Sequence, residues 1–257
     1  VRKSRISKLA SVLSFCLLTL AGSAASAANL TSHGGPVITS VHVVFIFWGP
    51  TFNNASSADH TYATTLQTFR NQLGTTGWYG TLTQYCGSSG CIRLSNLGGG
   101  APDLFDTSPP PTNVTDTAVR NEVNKYLVTH TKDNNTIYMV FIPSTCYSSS
   151  GSSTSCGGPS FAYCSYHSWV GSGTTATKYT IQPYPSCSGC QVPGLTAVQD
   201  QEILVAREIA DTVTDPTRST WQDSSGNEIA DKCTLTYLSG GFAYPYLWSN
   251  ATGSCVQ

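Results

Sequence analysis

Apolar positions along the chain follow two kinds of pattern. Unbroken β-branched and aromatic runs at 41–48 (VHVVFIFW) and 137–142 (IYMVFI) predict two buried strands, the first ended by Gly49-Pro50. Segments 161–170 and 178–184 predict two more, the second alternating enough to be half exposed. Helical spacing governs 57–73, with Tyr62, Leu66 and Phe69 on one side, and 116–130, with Val119, Val123 and Leu127. It is clearest at 196–215, where Val198, Val205, Ile209 and Val213 recur between a capping Thr196 and a terminating Pro216. The stretches 86–112 and 144–160, rich in Gly, Pro, Ser and Cys, read as irregular loops. This order predicts an α/β (α+β) domain with helices packed on one mixed sheet, and no repeat period suggests a solenoid.

The last helix carries an anomaly. Glu208, Asp211 and Asp215 stand at i, i+3 and i+7, so a mostly apolar helix presents three carboxylates on one face. Asp200 and Glu202 already supply a wet side, and two of the three acids fall in the final turn, where the helix dipole disfavours negative charge. A functional cluster is therefore expected there.

The segment AREIADTVTDP (206–216), the downstream Trp221 and the closing Glu228-x-x-Asp231-x-Cys233 resemble a secreted family pattern: a helix HExxExxTDP, a tryptophan, then E-x-x-D-x-C. The pattern is that of the phosphate-induced, or EXORDIUM-like, proteins and of bacterial zincin-like proteins. Shorter pieces agree: His33-Gly34-Gly35-Pro36-Val37, Phe47-Trp48-Gly49, Tyr163-Cys164-Ser165-Tyr166-His167-Ser168, and Leu247-Trp248-Ser249-Asn250 before Cys255. The resemblance implies a zincin-like fold and metal-assisted hydrolysis of peptide bonds, with Glu208 as general base. It also exposes a departure. Arg207 stands where the motif has its histidine, and a guanidinium has no lone pair to give a metal. An i,i+4 ion pair of Arg207 with Asp211 would then replace the ordinary metal site.

If a metal is retained, Asp211, Asp215, Asp231, His167 and His33 are the candidate ligands, with Glu228 and Trp221 in support. Zinc is what the resemblance implies, whereas Asp211, Asp215, Glu228 and Asp231 form an oxygen-rich set better suited to calcium. Two further readings compete. One is a non-catalytic extracellular or wall-associated, carbohydrate-binding protein that uses its aromatic tail, 242–248, as a contact surface. The other is a glycoside hydrolase using Glu208 and Glu228, with Trp221, Tyr244, Tyr246 and Trp248 stacking on sugar.

Composition places this chemistry outside the cell. Residues 1–27 read as a signal peptide: Arg2, Lys3, Arg5 and Lys8 precede a short apolar run, and Ala25-Ser26-Ala27 offers a cleavage site. The remainder, 28–257, reads as a single extracellular domain carrying nine basic and fourteen acidic residues, a net charge of −5 that argues against a nucleic-acid partner. No stretch is long and apolar enough to span a membrane, so extracellular peptide or polysaccharide is the expected partner. Nine cysteines remain beyond the signal, and an exported chain is expected to pair them. Cys86 with Cys91, Cys146 with Cys156, and Cys233 with Cys255 are the expected bridges, with one thiol left free or paired between chains.

Overall fold

The computed structural model describes residues 28–257; the segment read as a signal peptide, 1–27, lies outside them. Its organising element is one five-stranded sheet. In chain order its strands are β1 (His42–Trp48), β2 (Leu104–Asp106), β3 (Thr136–Ile142), β4 (Tyr166–Val170) and β5 (Thr177–Pro183). Their spatial order is β4-β5-β3-β1-β2. The pairs β5–β3, β3–β1 and β1–β2 are parallel, and only the edge strand β4 is antiparallel, with His167 opposite Thr180.

Three helices cover the sheet: α1 (Ala58–Leu73), α2 (Asp116–Thr129) and α3 (Ala197–Thr214). Alternation along β1 and β3 sorts them. Val43, Phe45, Phe47, Ile137, Met139 and Phe141 pack with Leu66 and Phe69 of α1 and with Val205, Ile209 and Val213 of α3. The intervening Val44, Ile46, Tyr138, Val140 and Ile142 pack with Val119, Val123 and Tyr126 of α2. Helices therefore lie on both faces, which is why these strands, after His42 and Thr136 at their starts, are apolar or aromatic at consecutive positions instead of every second one. Each helix starts on a hydroxyl cap: Ser57 Oγ accepts from Asp59 N at 3.1 Å, and Thr115 Oγ1 accepts from Ala118 N at 3.2 Å. Thr196 and Gln199 form a full capping box at the start of α3, whose last helical hydrogen bond runs from Asp215 N to Asp211 O at 2.8 Å, just before Pro216.

Several expectations give way to tertiary structure. The strand at 178–184 is buried almost throughout because β4 pairs outside it, and even Lys178 is enclosed, donating to Asn134 O and Thr174 O. Strand β2 falls inside the stretch read as irregular, and β4 begins only at Tyr166. Asp200 and Glu202 are not a wet side, being 3% and 1% exposed. The chain after α3 folds over that face as the hairpin β6 (Thr236–Ser239) and β7 (Phe242–Pro245), and Glu202 Oε2 accepts the Ala243 amide at 2.8 Å. The aromatic tail, read as a contact surface, belongs to the core: Tyr244 and Trp248 are each 4% exposed.

Disulfides join Cys86–Cys91, Cys156–Cys187, Cys164–Cys190 and Cys233–Cys255. The expected Cys146–Cys156 bridge is not formed. Cys156 reaches 31 residues on to Cys187, and Cys146 is the free thiol among the described residues. Among these residues no helix is long and apolar enough to cross a membrane.

Candidate functional site

The carboxylate face of α3 meets two other elements. Edge strand β4 brings His167, preceded by Ser165, and the turn after α3 returns the segment 228–231 alongside the helix. They enclose a hollow of about 160 Å³ lined by Ser165, His167, Glu208, Asp211, Arg218 and Glu228 among others. A second hollow of about 430 Å³ shares Ser165, Glu208, Asp211 and Asp231 and adds Arg207 and Leu204, so the two form one cleft.

His167 is its hub. Its side chain is 6% exposed and sits between two carboxylates, Nδ1 3.3 Å from Glu208 Oε2 and Nε2 3.4 Å from Glu228 Oε1. Ser165 donates to Glu208 Oε1 at 2.6 Å, so both Glu208 oxygens are engaged and its carboxylate plane is set. The opposite side differs. His167 Nε2 and Glu228 Oε1 are buried, face each other within ion-pair reach, and make no hydrogen bond. Burial works against charge on His167, but the hydrogen bond to Glu208 and the charges of Glu208 and Glu228 carry its pKa well above the ordinary imidazole value.

Asp211, Glu228 and Asp231 each direct an oxygen to one place, the three atoms lying within 4.8 Å of one another. Asp211 Oδ1 accepts the Ala230 amide at 2.8 Å, which ties helix to returning segment. Burial first, then the charges of Glu228 and Asp231, push the Asp211 carboxyl well above its usual range, against the opposing pull of Arg207. Four carboxyl groups, Glu208, Asp211, Glu228 and Asp231, face two guanidinium groups, Arg207 and Arg218, and the raised pKa values of His167 and Asp211 are the response of the cluster to that excess of acids.

Arg207 does not make the expected pair with Asp211. Its guanidinium donates to Asp231 Oδ1 at 2.9 Å and to the carbonyls of Ala230 and Cys233 at 2.9 and 3.4 Å. The reason is local: Asp211 already accepts from Ala230 N, while the carbonyls of the same turn point at Arg207. Arg218 reaches Glu228 Oε2 at 3.4 Å with a side chain 57% exposed. At φ 52° it is the only non-glycine described residue with a left-handed backbone, a conformation found disproportionately at functional sites.

Other sequence candidates lie elsewhere. Asp215 is fully buried and caps the turn behind the cleft, its Oδ1 accepting from Ser219 N at 2.6 Å and Thr220 N at 2.8 Å. His33 is exposed and pairs only through its backbone, to Thr220 O. Trp221 packs edge-on against Tyr85 and donates to Cys86 O at 2.9 Å, outside the cleft. Ser165 and Arg218 were missed. Ser165 lies within the Tyr163 to Ser168 segment, but nothing in the sequence singles out Arg218.

The donor set suits a divalent cation. Three converging carboxylates are usual ligands of such ions; His167 lies beside them through Glu228 alone, and the hydrogen bond between its Nδ1 and Glu208 is the arrangement that orients a metal-bound histidine. Comparison with protein-family models, with curated proteins and with solved structures finds no match.

Proposed function

We propose that the protein is a secreted hydrolase of zincin-like ancestry, acting on peptides, whose cleft works with a divalent cation. The observation that carries this reading is the facing pair of buried, unpartnered atoms, His167 Nε2 and Glu228 Oε1, beside the converging oxygens of Asp211 and Asp231. Four disulfides and the absence of a membrane-spanning helix among the described residues are consistent with export. His167, Asp211, Glu228 and Asp231 would hold the cation. Bound there, such an ion would polarise the scissile carbonyl and acidify water. Glu208, oriented by Ser165 and His167, is the proton acceptor, and Arg218 at the cleft wall faces negative charge developing on the carbonyl oxygen.

The glycosidase alternative has less support. Glu208 and Glu228 are bridged by one imidazole, which leaves no room for a sugar between them. Tyr244 and Trp248 are buried in the core, and Trp221 is packed against Tyr85. A non-catalytic binder remains the second reading, favoured by the placement of Arg207 on Asp231 and two carbonyls, where the resembling motif has a ligand.

Glu208→Gln separates the possibilities when turnover of a peptide-substrate panel and cation affinity are measured together. Loss of turnover by at least about 100-fold with affinity intact is the expected result for a general base. Unchanged residual turnover removes Glu208 from the chemistry. A fall in affinity together with turnover reassigns it to orienting His167. No turnover in the native protein, with Arg207→His gaining it, supports the binder.

A further inference from the structure

The cleft does not end at Leu204. Toward the N-terminus of α3, a hollow of about 170 Å³ shares Cys164, Leu204 and Arg207 with the cleft, and Gln191, Val192 and Asp200 with the next pocket. That pocket, of about 290 Å³, is walled by Ser188, Gln191, Val192, Pro193, Leu195 and Ala197. Its one ionisable wall residue is Asp200, 3% exposed. Asp200 Oδ1 accepts the Val192 amide at 2.8 Å, while Oδ2 makes no hydrogen bond with any described residue. No lysine or arginine among the described residues pairs with it. Burial holds the carboxyl above its ordinary range, opposed by the Val192 hydrogen bond.

We propose that this pocket binds the lysine or arginine side chain of an extended peptide lying along α3. Pro193, Leu195 and Ala197 in the wall suit the methylene stem, and a sunken carboxylate suits the cationic head. The positive end of the helix dipole, about half a charge, opposes a cation here. It is outweighed by the full charge that Asp200 carries once a cation is paired with it. Position sets the register. Asp200 and Glu208 are eight residues apart on one helix, about 12 Å at 1.5 Å per residue, which an extended peptide covers in about three or four residues. The basic residue therefore sits that far from the bond at the cleft.

The proposal rests on the peptide-hydrolase reading and is tested apart from turnover. Fluorescent Ala/Ser peptides carrying one Lys, Arg, Ala or Glu are titrated into the Glu208→Gln variant and followed by anisotropy. Lys and Arg peptides are expected to bind at least about 10-fold more tightly than Ala peptides and Glu peptides least, with Asp200→Asn abolishing the preference. Leu195→Lys, which plants a resident ammonium in the wall, is expected to do the same and serves if Asp200→Asn fails to fold. Equal affinities, a preference for Glu, or a preference that survives both substitutions overturns the pocket. Lys-dependent binding with no turnover by the native protein overturns the hydrolase reading alone.

Discussion

At the scale of the residue, Asp211 has two tasks that substitution can divide. One oxygen satisfies the buried Ala230 amide, and the carboxylate contributes charge to the cluster with Glu228 and Asp231. Asp211→Asn keeps an acceptor for Ala230 and removes a buried carboxyl whose ionised form is crowded by two others. Its stability should therefore match or exceed that of the native protein while cation binding is lost. Asp211→Ala strands the amide and should cost about 1–3 kcal/mol. Urea denaturation of the two variants checks this, and equal destabilisation would show that the charge, not the hydrogen bond, holds the turn. Residue identity was the part of the site most legible in the sequence, because three acids on an apolar helix conflict with burial and dipole alike. Their partners were less legible. His167 and Glu228 are 61 positions apart and meet only through the fold, and Arg207 turned toward carbonyls whose direction no side-chain pattern encodes.

At the scale of the element, the site depends on how β4 is held. It is an edge strand, hydrogen-bonded on one side only, yet it must present Ser165 and His167 to α3. Cys164, immediately before Ser165, is tied to Cys190 across 26 residues. By the chain-entropy argument, replacing both with serine should lower stability by about 3–4 kcal/mol, read as a shift in the denaturation midpoint. The same change should weaken cation binding, because it frees the strand at the site. An unaltered affinity would mean that pairing with β5 alone positions His167. The strands show why some elements were easy to read and others not. β1 and β3 announce themselves because both faces are covered, whereas β2 is three residues long and has no period to detect. The burial of Lys178, Asp200 and Glu202 comes from neighbours placed by the fold, the outer strand β4 for the first and the folded-back tail for Glu202. Disulfide choice likewise followed spatial approach: the neighbouring Cys146 was passed over for Cys187.

At the scale of the whole molecule, buried carboxyls away from the cleft set the pH range of stability. Burial pushes Glu202 up to about 7, against its hydrogen bond from Ala243; burial and then Asp106 push Glu122 to about 7 as well. Both lie above the ordinary glutamate value of 4.5, so the folded state holds protons that the unfolded state has released. Stability should fall as pH rises from about 4.5 to about 7 and level off above. The acid limb has the opposite origin. Despite burial, hydrogen bonds from Lys125 and Ser108 hold Asp106 down to about 2, a contribution present above its ordinary value of 3.8 and lost as pH falls toward 2. Melting temperature should therefore peak in mildly acidic solution, and Glu122→Gln with Glu202→Gln should flatten the neutral limb. A maximum at pH 7 or above would contradict this.

The claim on which the function rests is that four carboxylates and two guanidinium groups around His167 leave a place for one divalent cation. Calorimetric titration of chelator-stripped protein with zinc, manganese and calcium tests it directly. The account predicts one ion of at least one of these metals per chain, with binding lost in Asp211→Asn and Glu228→Gln while both variants remain folded. No binding by the native protein, or binding that both variants retain, would contradict it.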